Sequence, residues 1–494
     1  MKRVRITLLH NQPIATISPE LHGHFVEMLS GCVNGGIWNT KKDDYDELIL
    51  SKSADLGLEL IRWPGGCFAD AYNWRDGVGP VIGRPTTITN RWGPDEVENH
   101  RFGSHEFMEF CRRTGAKAWI NGNVATGSPR EMVEWIEYLS YRGDTTLSRQ
   151  RAAHGHPDAY DVAYWGVGNE CWDCGGKFTP TTYGDAYRRF ESAIPRYKDM
   201  PMRLIVGGPD GNKPDEREVW TEGVLKTLFE WRRPRIYAVD AHFYIWGDPN
   251  GTGKSNAFNA DQFSALMWRT LEIEDMFLKQ REIIDRFDRG IKLMIGEYGP
   301  WHSDAWERFF WQHVTLRDAV CVAAHLDLFH NHCDILAAAT YTQLCNILGA
   351  PFQTLDGVSY STPVFEVFAL YKAHRGQEAI RHQVEAEEIS FPFRDQTLSN
   401  RRVTASVSRA KDGRYVLTCA NLDPNETAEL VIGGDEISFG SARAWLLHAD
   451  DPQTSHQPGR DPAISPRSVA TKVSNGQVVI QIPAAGIVKV DMAR

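Results

Sequence analysis

The stretch from Tyr160 to Glu170, YDVAYWGVGNE, decides the fold of this chain. It is apolar up to Val167 and then stops in Gly168, Asn169 and Glu170. A near-continuous apolar run that ends at a glycine is typical of a strand buried on both faces in a parallel sheet. Such sheets place their ligand-binding groups at the carboxyl ends of the strands. The pattern therefore predicts that Glu170 is a carboxylate at a strand tip.

A second segment has the same form. Lys292 to Glu297, KLMIGE, is an apolar run that ends in a glutamate, and Gly299 and Pro300 break the chain soon after it. Two strand-tip carboxylates are what a retaining glycosidase needs, because one protonates the leaving oxygen while the other, about 5–5.5 Å away, attacks the sugar. Either glutamate alone is more often a helix cap or a surface acid, and it is the pairing that favours catalysis.

Alternating strand and helix patterns on both sides of these segments predict a (β/α)₈ barrel. Eight βα units can be counted from Leu21 to about His374, and that count specifies the barrel. The second predicted strand closes on Gly65 and Gly66, which allow a sharp turn where a ligand approaches. The predicted strands cover residues 22–29, 56–66, 117–123, 160–170, 203–209, 235–246, 292–297 and 334–344.

Beyond Arg375 the sequence changes to short alternating runs with turn residues between them, which is typical of a β-sandwich or jelly roll. Residues 3–17 read as one or two strands outside any βα repeat. We therefore expect residues 1–17 to join the sandwich, residues 18–375 to form the barrel and residues 376–494 to form the sandwich. A carbohydrate-binding role for the sandwich is the alternative to the structural role we favour.

Composition narrows the classes of ligand. The 494 residues are 24% charged with a net charge of −10 and contain no basic run, which argues against nucleic acid or a membrane as the partner. The apolar run Ile6 to Leu9 is too short for a signal peptide, and no later segment approaches a membrane span. Nine scattered cysteines, an odd number, favour a cytoplasmic protein with reduced thiols.

Hydrogen-bonding side chains accompany the two glutamates at other predicted strand tips. Asn169, beside Glu170, can donate to the sugar hydroxyl next to the reacting carbon. None of these groups is strongly cationic, so the set suits a neutral polyol better than a phosphate. For His242 the alternative is a structural histidine bonded within the barrel mouth. The other groups of the set are Glu27, Asn73, Tyr244 and Gln343.

Several longer motifs then give a resemblance that covers nearly the whole chain. They include RWPGGCFADAYNWRDGVGP (62–80), WGVGNE (165–170), GEYGPW (296–301) and QLCNILGAP (343–351). With these motifs the chain resembles the glycoside hydrolase family 51 α-L-arabinofuranosidases. The resemblance implies that Glu170 is the acid/base and Glu297 the nucleophile. It also implies a pocket-lining or leaving-group role for Trp92 and sugar contacts for Glu27, Asn73, Asn169, His242, Tyr244 and Gln343.

The chain departs from the family pattern in two places. The family often reads Asp-Glu-Trp around the nucleophile, whereas this chain has Gly296-Glu297-Tyr298. After the acid/base the chain carries Cys171 and Cys174, a spacing that allows a metal or redox site. A local disulfide or two free thiols are favoured, because no second ligand pair lies nearby in the sequence. The departures leave the catalytic pair intact and leave the leaving-group preference open.

The resemblance implies a retaining exo-glycosidase that releases terminal non-reducing α-L-arabinofuranosyl residues from arabinan or arabinoxylan oligosaccharides. It implies no cofactor or metal, and it implies a homo-oligomer, a hexamer in many members. The alternatives are a β-xylosidase or β-1,4-endoglucanase on the same scaffold, and a non-catalytic sugar-binding barrel. A metal-dependent hydrolase would need ligands beyond His22-Gly23-His24.

Overall fold

The computed structural model describes residues 2–88, 97–434 and 436–494, and in it eight parallel strands close into a barrel. Neighbouring strands in the chain are neighbours in the barrel, and the eighth returns to pair with the first, with Thr340 opposite Gly23. The predicted barrel is confirmed. The first to eighth barrel strands are Gly23–Phe25, Leu60–Trp63, Lys117–Gly122, Val162–Val167, Leu204–Asp210, Ala238–Trp246, Lys292–Trp301 and Leu336–Thr342.

Helices surround the barrel. The helix Pro129–Ser140 begins as the sequence predicts, since Ser128 is its N-cap and Pro129 its first residue, and Ser128 Oγ accepts a hydrogen bond from the backbone of Glu131. The sequence pattern does not single out Glu47–Leu56, Thr146–Ala153 or Pro363–Tyr371. The other α-helices are Ser104–Thr114, Pro180–Ala193, Pro214–Phe229, Ala260–Phe287 and Leu316–Asn331.

The barrel interior is filled by apolar side chains and is not a pore. Seven strands contribute one residue each to a buried cluster that includes Leu60, Trp119, Tyr164 and Ile205. Such a layer closes the barrel and leaves only the strand tips open to a ligand. Among the described residues, no helix combines the length and the apolar character that crossing a bilayer requires.

The C-terminal residues form a β-sandwich around a second core. The strand Lys2–Thr16 lies inside its ten-stranded sheet, antiparallel to Glu378–Glu385 and parallel to Ala428–Gly433. Alternate residues Val4 and Ile6 point into the sandwich core. The boundaries at residues 17 and 375 stay a prediction. The remaining strands of this sheet are Val403–Arg409, Tyr415–Asn421, Ser441–Leu447, Arg467–Val469, Lys472–Ser474, Gln477–Ile482 and Ile487–Ala493.

Four two-stranded hairpins complete the fold. One of them, Ile389–Phe393 with Gln396–Asn400, packs against the long helix Ala260–Phe287. The other three pairs are Trp38–Asn39 with Asp44–Tyr45, Thr87–Ile88 with Val97–Glu98, and Phe352–Leu355 with Val358–Ser361.

A buried polar network joins the barrel to the sandwich. The helix Leu316–Asn331 carries His330 and Asp327, both buried, against the sheet. His330 Nδ1 lies 3.0 Å from Ser406 Oγ, and its Nε2 lies 2.9 Å from Nε2 of His22. Burial lowers the pKa of His330 well below its usual value and raises the pKa of Asp327 to about 7. Hydrogen-bonding groups therefore hold the two parts together as well as apolar contacts.

Candidate active site

Glu170 lies three residues beyond the end of the fourth barrel strand, at the barrel mouth. Gly168 has φ 87° and turns the chain off the strand. Glu170 itself has φ 35°, a left-handed conformation that is uncommon outside glycine and is found at functional sites. Its side chain is 15% exposed. The Gly-Asn-Glu sequence therefore aims this carboxylate into the barrel rather than out to solvent.

Glu297 lies within the seventh barrel strand, which continues to Trp301 and so runs four residues past the predicted end. Arg62 Nη1 donates to Oε1 of Glu297 over 2.7 Å, and the Tyr244 hydroxyl donates to Oε2 over 2.5 Å. The glutamate side chain is only 5% exposed. Both oxygens of this buried carboxylate thus accept strong hydrogen bonds, which favour the ionised form.

The two glutamates face each other across the mouth. An oxygen of Glu170, an oxygen of Glu297 and a ring nitrogen of His242 all lie within 4.8 Å of one another. Burial and the nearby charge of Glu297 raise the pKa of Glu170. Burial alone would raise the pKa of Glu297 too, but His242 and Arg62 outweigh it and lower that pKa. One carboxyl group is therefore suited to carry a proton while the other is ionised.

His242 sits between these carboxylates and a third acid. Its Nδ1 lies 3.0 Å from Oε1 of Glu170 and 3.5 Å from Oε1 of Glu297, and its Nε2 lies 3.1 Å from Oδ2 of Asp240. Burial alone would lower the pKa of His242, but Glu297 and Asp240 raise it to about 10. The imidazole is therefore a cation within a cluster of acids.

The departure at Gly296 has a local explanation in this cluster. A Cβ at Gly296 would overlap both carboxylate oxygens of Asp240. Asp240 thus occupies the space that a side chain at position 296 would need. The glycine before Glu297 and the aspartate on the neighbouring strand fit as a pair.

Glu27 and Gln343 meet on another side of the pocket, as the sequence predicts for groups at neighbouring strand tips. Gln343 Nε2 donates to Oε2 of Glu27 over 2.9 Å, and the backbone N–H of Phe68 donates to Oε1 over 3.0 Å. Burial, together with the charge of Glu297, raises the pKa of Glu27 to about 7. A carboxyl group near neutrality can donate or accept toward a sugar hydroxyl.

The paired glycines after the second strand make room for these acids. Gly65 has φ 150°, and a Cβ there would lie 2.5 Å from Cγ of Glu27. A Cβ at Gly66 would lie 2.9 Å from Oε1 of Glu297. The predicted close approach at Gly65 and Gly66 is therefore an approach to the site's own carboxylates.

Asn169 is held in place by its neighbours. Its Oδ1 accepts from Arg62 Nη2 over 2.5 Å, and its Nδ2 lies 3.4 Å from Oδ2 of Asp70. Burial raises the pKa of Asp70 well above its usual value. Because Arg62 also bonds Glu297, one guanidinium fixes the amide and the carboxylate relative to each other.

The site opens into a pocket of about 340 Å³. Three tryptophans form one wall, with ring centroids 4.5 Å apart between Trp246 and Trp301 and 5.1 Å apart between Trp301 and Trp306. Trp306 is 58% exposed at the rim. Aromatic faces of this kind pack against the C–H faces of sugars. Trp172, Asp210 and Lys213 are also among the residues that line the pocket.

A disulfide joins Cys67 to Cys174 beside Glu170. Sγ of Cys174 lies 3.4 Å from Oε2 of Glu170. The expectation of a local Cys171 to Cys174 disulfide or two free thiols is wrong, because Cys171 is a buried free cysteine and the partner of Cys174 comes from the second strand's loop. The expectation that all thiols are reduced fails for this pair alone among the nine.

Not all the predicted sugar contacts come together. Glu27, Asn169, His242, Tyr244 and Gln343 surround the two catalytic candidates, as described above. Asn73 is exposed and does not line the pocket; it is the N-cap of a short turn, where its Oδ1 accepts from the backbone of Arg75 and its Nδ2 donates to Asp76. A sugar contact for Asn73 stays a prediction without support here. Trp92 falls at 89–96, outside the described residues.

The sequence analysis missed Arg62, Asp240 and the tryptophan wall. The sequence contains a signal for Arg62 and for Asp240. Arg62 is a charged residue inside the apolar strand Leu60–Trp63. Asp240 lies two residues before His242. Residues spaced by two share one face of a strand, so Asp240, His242 and Tyr244 all point the same way. The stacking of tryptophans from different loops has no such signal.

The cluster of Glu170, His242 and Glu297 has the proximity of a metal site. Its charges do not fit one, because the guanidinium of Arg62 and the raised pKa of His242 already put two cations beside these carboxylates. We therefore assign no metal to the site.

Residues 52–262 match the family described as Alpha-L-arabinofuranosidase 1 domain, and residues 296–485 match the Alpha-L-arabinofuranosidase C-terminal domain. An intracellular exo-alpha-L-arabinofuranosidase of Bacteroides ovatus is 30% identical over 99% of this chain and 96% of its own length. The chain belongs to the glycoside hydrolase family 51 α-L-arabinofuranosidases.

Solved structures agree with this assignment. The family 51 arabinofuranosidase from Xanthomonas axonopodis pv. citri superposes with a TM-score of 0.91 at 29% identity, covering 100% of both chains. An arabinose complex of α-L-arabinofuranosidase from Thermotoga maritima has a TM-score of 0.85 at 22% identity over 100% of both chains, which shows the shared fold. This chain is thus an α-L-arabinofuranosidase, a hydrolase that acts on arabinose-containing glycans.

Proposed function

We propose that this arabinofuranosidase is a retaining exo-enzyme with Glu297 as nucleophile and Glu170 as acid/base. The observation that supports this most directly is the pair of carboxylates within 4.8 Å across the pocket. Retaining glycosidases place their carboxyl groups about 5–5.5 Å apart, whereas inverting enzymes need about 6.5–9.5 Å to admit a water. The short distance between the nearest oxygens supports retention.

In the first step, ionised Glu297 attacks the anomeric carbon while protonated Glu170 gives its proton to the leaving oxygen. The pKa values of the two groups are shifted in the directions that these roles need. Formation of the ester removes the charge of Glu297, which lowers the pKa of Glu170. Glu170 then acts as the base that activates water in the second step.

We further propose that the pocket holds one terminal non-reducing α-L-arabinofuranosyl residue of an arabinan or arabinoxylan oligosaccharide. Its volume, about 340 Å³, lies near the lower limit for small-molecule sites, which suits exo action better than a long cleft. Glu27, Gln343 and Asn169 supply hydrogen-bonding groups for sugar hydroxyls. The exposed Trp306 supplies a surface for the next sugar. The Bacteroides relative is likewise named an exo-enzyme.

A cytoplasmic location and a homo-oligomer, a hexamer by family resemblance, complete the proposal. Relatives from Bacteroides ovatus and Bifidobacterium longum are named intracellular. Seven of the nine cysteines are buried free thiols, as is common in reducing compartments. Size measurement by light scattering on the purified protein tests the oligomer directly.

The proposal is tested by turnover of the 4-nitrophenyl α-L-arabinofuranoside, β-D-xyloside and β-D-glucoside. We expect fast cleavage of the arabinofuranoside alone, with loss of about 10⁴-fold or more in Glu297→Gln. Glu222→Gln, an exposed carboxylate on an outer helix paired with Arg286, is the matched control and should keep full activity. Proton NMR of the first product should show the α-anomer.

Each other outcome has a clear meaning. If the β-anomer forms first, the enzyme inverts the anomeric configuration and the proposed retaining mechanism is wrong. Preferred cleavage of the β-xyloside would replace the substrate but keep the mechanism. Turnover by Glu297→Gln near the wild-type rate would remove Glu297 from the role of nucleophile.

A further inference from the structure

We propose that Asp240 is a positioning residue that keeps His242 protonated on both ring nitrogens between Glu170 and Glu297. The inference rests on the proposed roles of those two glutamates and adds a residue that touches neither of them. It assigns to Asp240 control over where the catalytic proton resides.

The hydrogen-bond geometry requires a donor on each side of the ring. Nε2 of His242 lies 3.1 Å from Asp240 Oδ2, so Nε2 must carry a proton to bond that carboxylate. In a neutral imidazole, Nδ1 would then present a lone pair toward Glu170 at 3.0 Å and Glu297 at 3.5 Å. A lone pair facing the ionised Glu297 is repulsive, whereas an Nδ1–H is attractive to both. Asp240 thus selects the doubly protonated ring.

The charges of Arg62, Glu170, Asp240, His242 and Glu297 balance in this state. Arg62 and His242 carry two positive charges, Glu297 and Asp240 carry two negative charges, and protonated Glu170 is neutral. Arg62 Nε lies 4.0 Å from Asp240 Oδ2, so both cations flank the same aspartate. The raised pKa of His242 agrees with this count. An unbalanced buried charge would be costly at these exposures of 7% or less.

Charged or titratable groups at four other positions of the barrel face His242 or its partner Asp240. They are Arg62 from the second barrel strand, Glu170 after the fourth, Asp210 from the fifth and Glu297 from the seventh. Nε2 is bonded by Asp240, which lies on the same strand as the ring. Its other oxygen, Oδ1, is buried and makes no hydrogen bond within the part of the chain that the structure describes. The carboxylate is therefore not explained by a network that holds the strand.

The fixed Nδ1–H has a consequence for each half of the reaction. In the first step it cannot accept the proton of Glu170, so that proton remains available to the leaving oxygen. After the ester has formed, Glu297 is no longer charged, and the Nδ1–H can donate to the newly ionised Glu170 that acts as base. With an uncharged side chain at position 240, the ring keeps one proton, and the lone pair of Nδ1 accepts a hydrogen bond from protonated Glu170 that competes with donation to the leaving oxygen.

The test is leaving-group dependence in Asp240→Asn, which keeps the shape of the side chain. Proton donation matters most for poor leaving groups, so kcat/KM for the methyl α-L-arabinofuranoside should fall about 100-fold or more, against about 10-fold or less for the 4-nitrophenyl substrate. Both limits of the pH profile should move up by about one pH unit, because loss of the imidazolium charge favours the protonated form of both glutamates. Asp275→Asn, a surface partner of Arg217, should change neither.

Equal rate losses on the two substrates with an unmoved pH profile would overturn the inference. Glu170→Gln separates it from the proposed function: if that variant lacks leaving-group dependence, the acid assignment itself fails. If Glu170→Gln shows the dependence and Asp240→Asn does not, only the role of Asp240 is wrong. Should Asp240→Asn not fold, Asp240→Ser removes the same charge, and Gly296→Ala displaces the carboxylate without removing it; each must give the same signature.

Discussion

The hydroxyl of Tyr244 donates to Oε2 of Glu297 over 2.5 Å, so the nucleophile candidate is bonded by a phenol on the neighbouring strand. This bond favours the carboxylate form of Glu297. Removing it in Tyr244→Phe should raise the pKa of Glu297 and lower kcat/KM by roughly 10- to 100-fold, the value of one hydrogen bond to a charged group, about 1.5–3 kcal/mol. The acidic limit of the pH profile should therefore move to higher pH.

The measurement is kcat/KM for an arabinofuranoside from acid to neutral pH. Tyr360→Phe, which removes a hydroxyl bonded to Gln353 in a hairpin, serves as the control and should leave the profile in place. An acidic limit that does not move in Tyr244→Phe would show that the hydroxyl does not influence the ionisation of Glu297.

The disulfide from Cys67 to Cys174 should contribute stability, because it closes a loop with a sequence separation of 107. In the chain-entropy description a loop of about 100 residues gives about 4.7 kcal/mol, and measured values are commonly about 2–5 kcal/mol. Cys67→Ser with Cys174→Ser should lower the free energy of unfolding by that amount. Dithiothreitol should destabilise the wild type in thermal unfolding and have no effect on the double variant; a wild type insensitive to the reductant would contradict the prediction.

Trp306 should act on the leaving-group side of the substrate. It is exposed at the rim, stacks on Trp301 and lines the pocket away from the catalytic carboxylates. Trp306→Ala should raise KM for arabino-oligosaccharides by roughly 3- to 10-fold, as expected for the loss of about 0.5–1.5 kcal/mol of aromatic packing. KM for a methyl arabinofuranoside should hardly change. Trp231→Ala, which removes an exposed tryptophan outside the pocket, is the control. An equal rise of KM for both substrates would show that Trp306 does not contact the leaving-group side of the substrate.

Acid should destabilise the contact between barrel and sandwich. His374 is buried between Ser408 Oγ at 2.7 Å and Thr418 Oγ1 at 3.1 Å, and burial lowers its pKa from 6.5 to about 3. The unfolded chain therefore binds more protons in this window, and the free energy of unfolding falls by about 1.4 kcal/mol per pH unit for this group as pH falls below 6.5. Urea unfolding should show that His374→Gln loses less stability in acid than the wild type does.

Asp327, in the same network, should change stability with pH in the direction opposite to His374. Its pKa is raised to about 7 by burial, so its contribution is present below the unfolded value of 3.8 and is lost as pH rises through about 7. Asp327→Asn should therefore lose stability more steeply on acidification than the wild type. Parallel curves for Asp327→Asn and the wild type would mean that the carboxyl group does not titrate as described.

Sequence reasoning succeeded where a local pattern decides the outcome. Glu170 and Gln343 follow strand ends as the apolar runs predict, whereas the strand that carries Glu297 continues past it, and eight such runs specify the barrel. The family models match residues 52–262 and 296–485, so the resemblance found in the motifs holds for the barrel and for the C-terminal part of the chain. The start of the helix at Ser128 and Pro129 is equally local.

Prediction from sequence failed for contacts between residues that lie far apart in the chain. Cys174 has a nearer cysteine at 171, and only the fold brings Cys67 beside it. Arg62 contacts Glu297 because the barrel closes, since the two lie 235 residues apart. Asn73 caps a short turn outside the pocket, and its predicted sugar contact stays a prediction.

The position of Lys2–Thr16 has a consequence for how the protein is made. Lys2–Thr16 is synthesised before both of its partner strands, so its two edges have no partner until Glu378–Glu385 and Ala428–Gly433 have been made. The barrel between them must fold while a strand with two open edges is tethered to it, and open edges promote aggregation. A fragment of residues 376–494 alone would lack its inner strand. Supplying Lys2–Thr16 at its N-terminus through a linker is the way to obtain the sandwich as a separate protein.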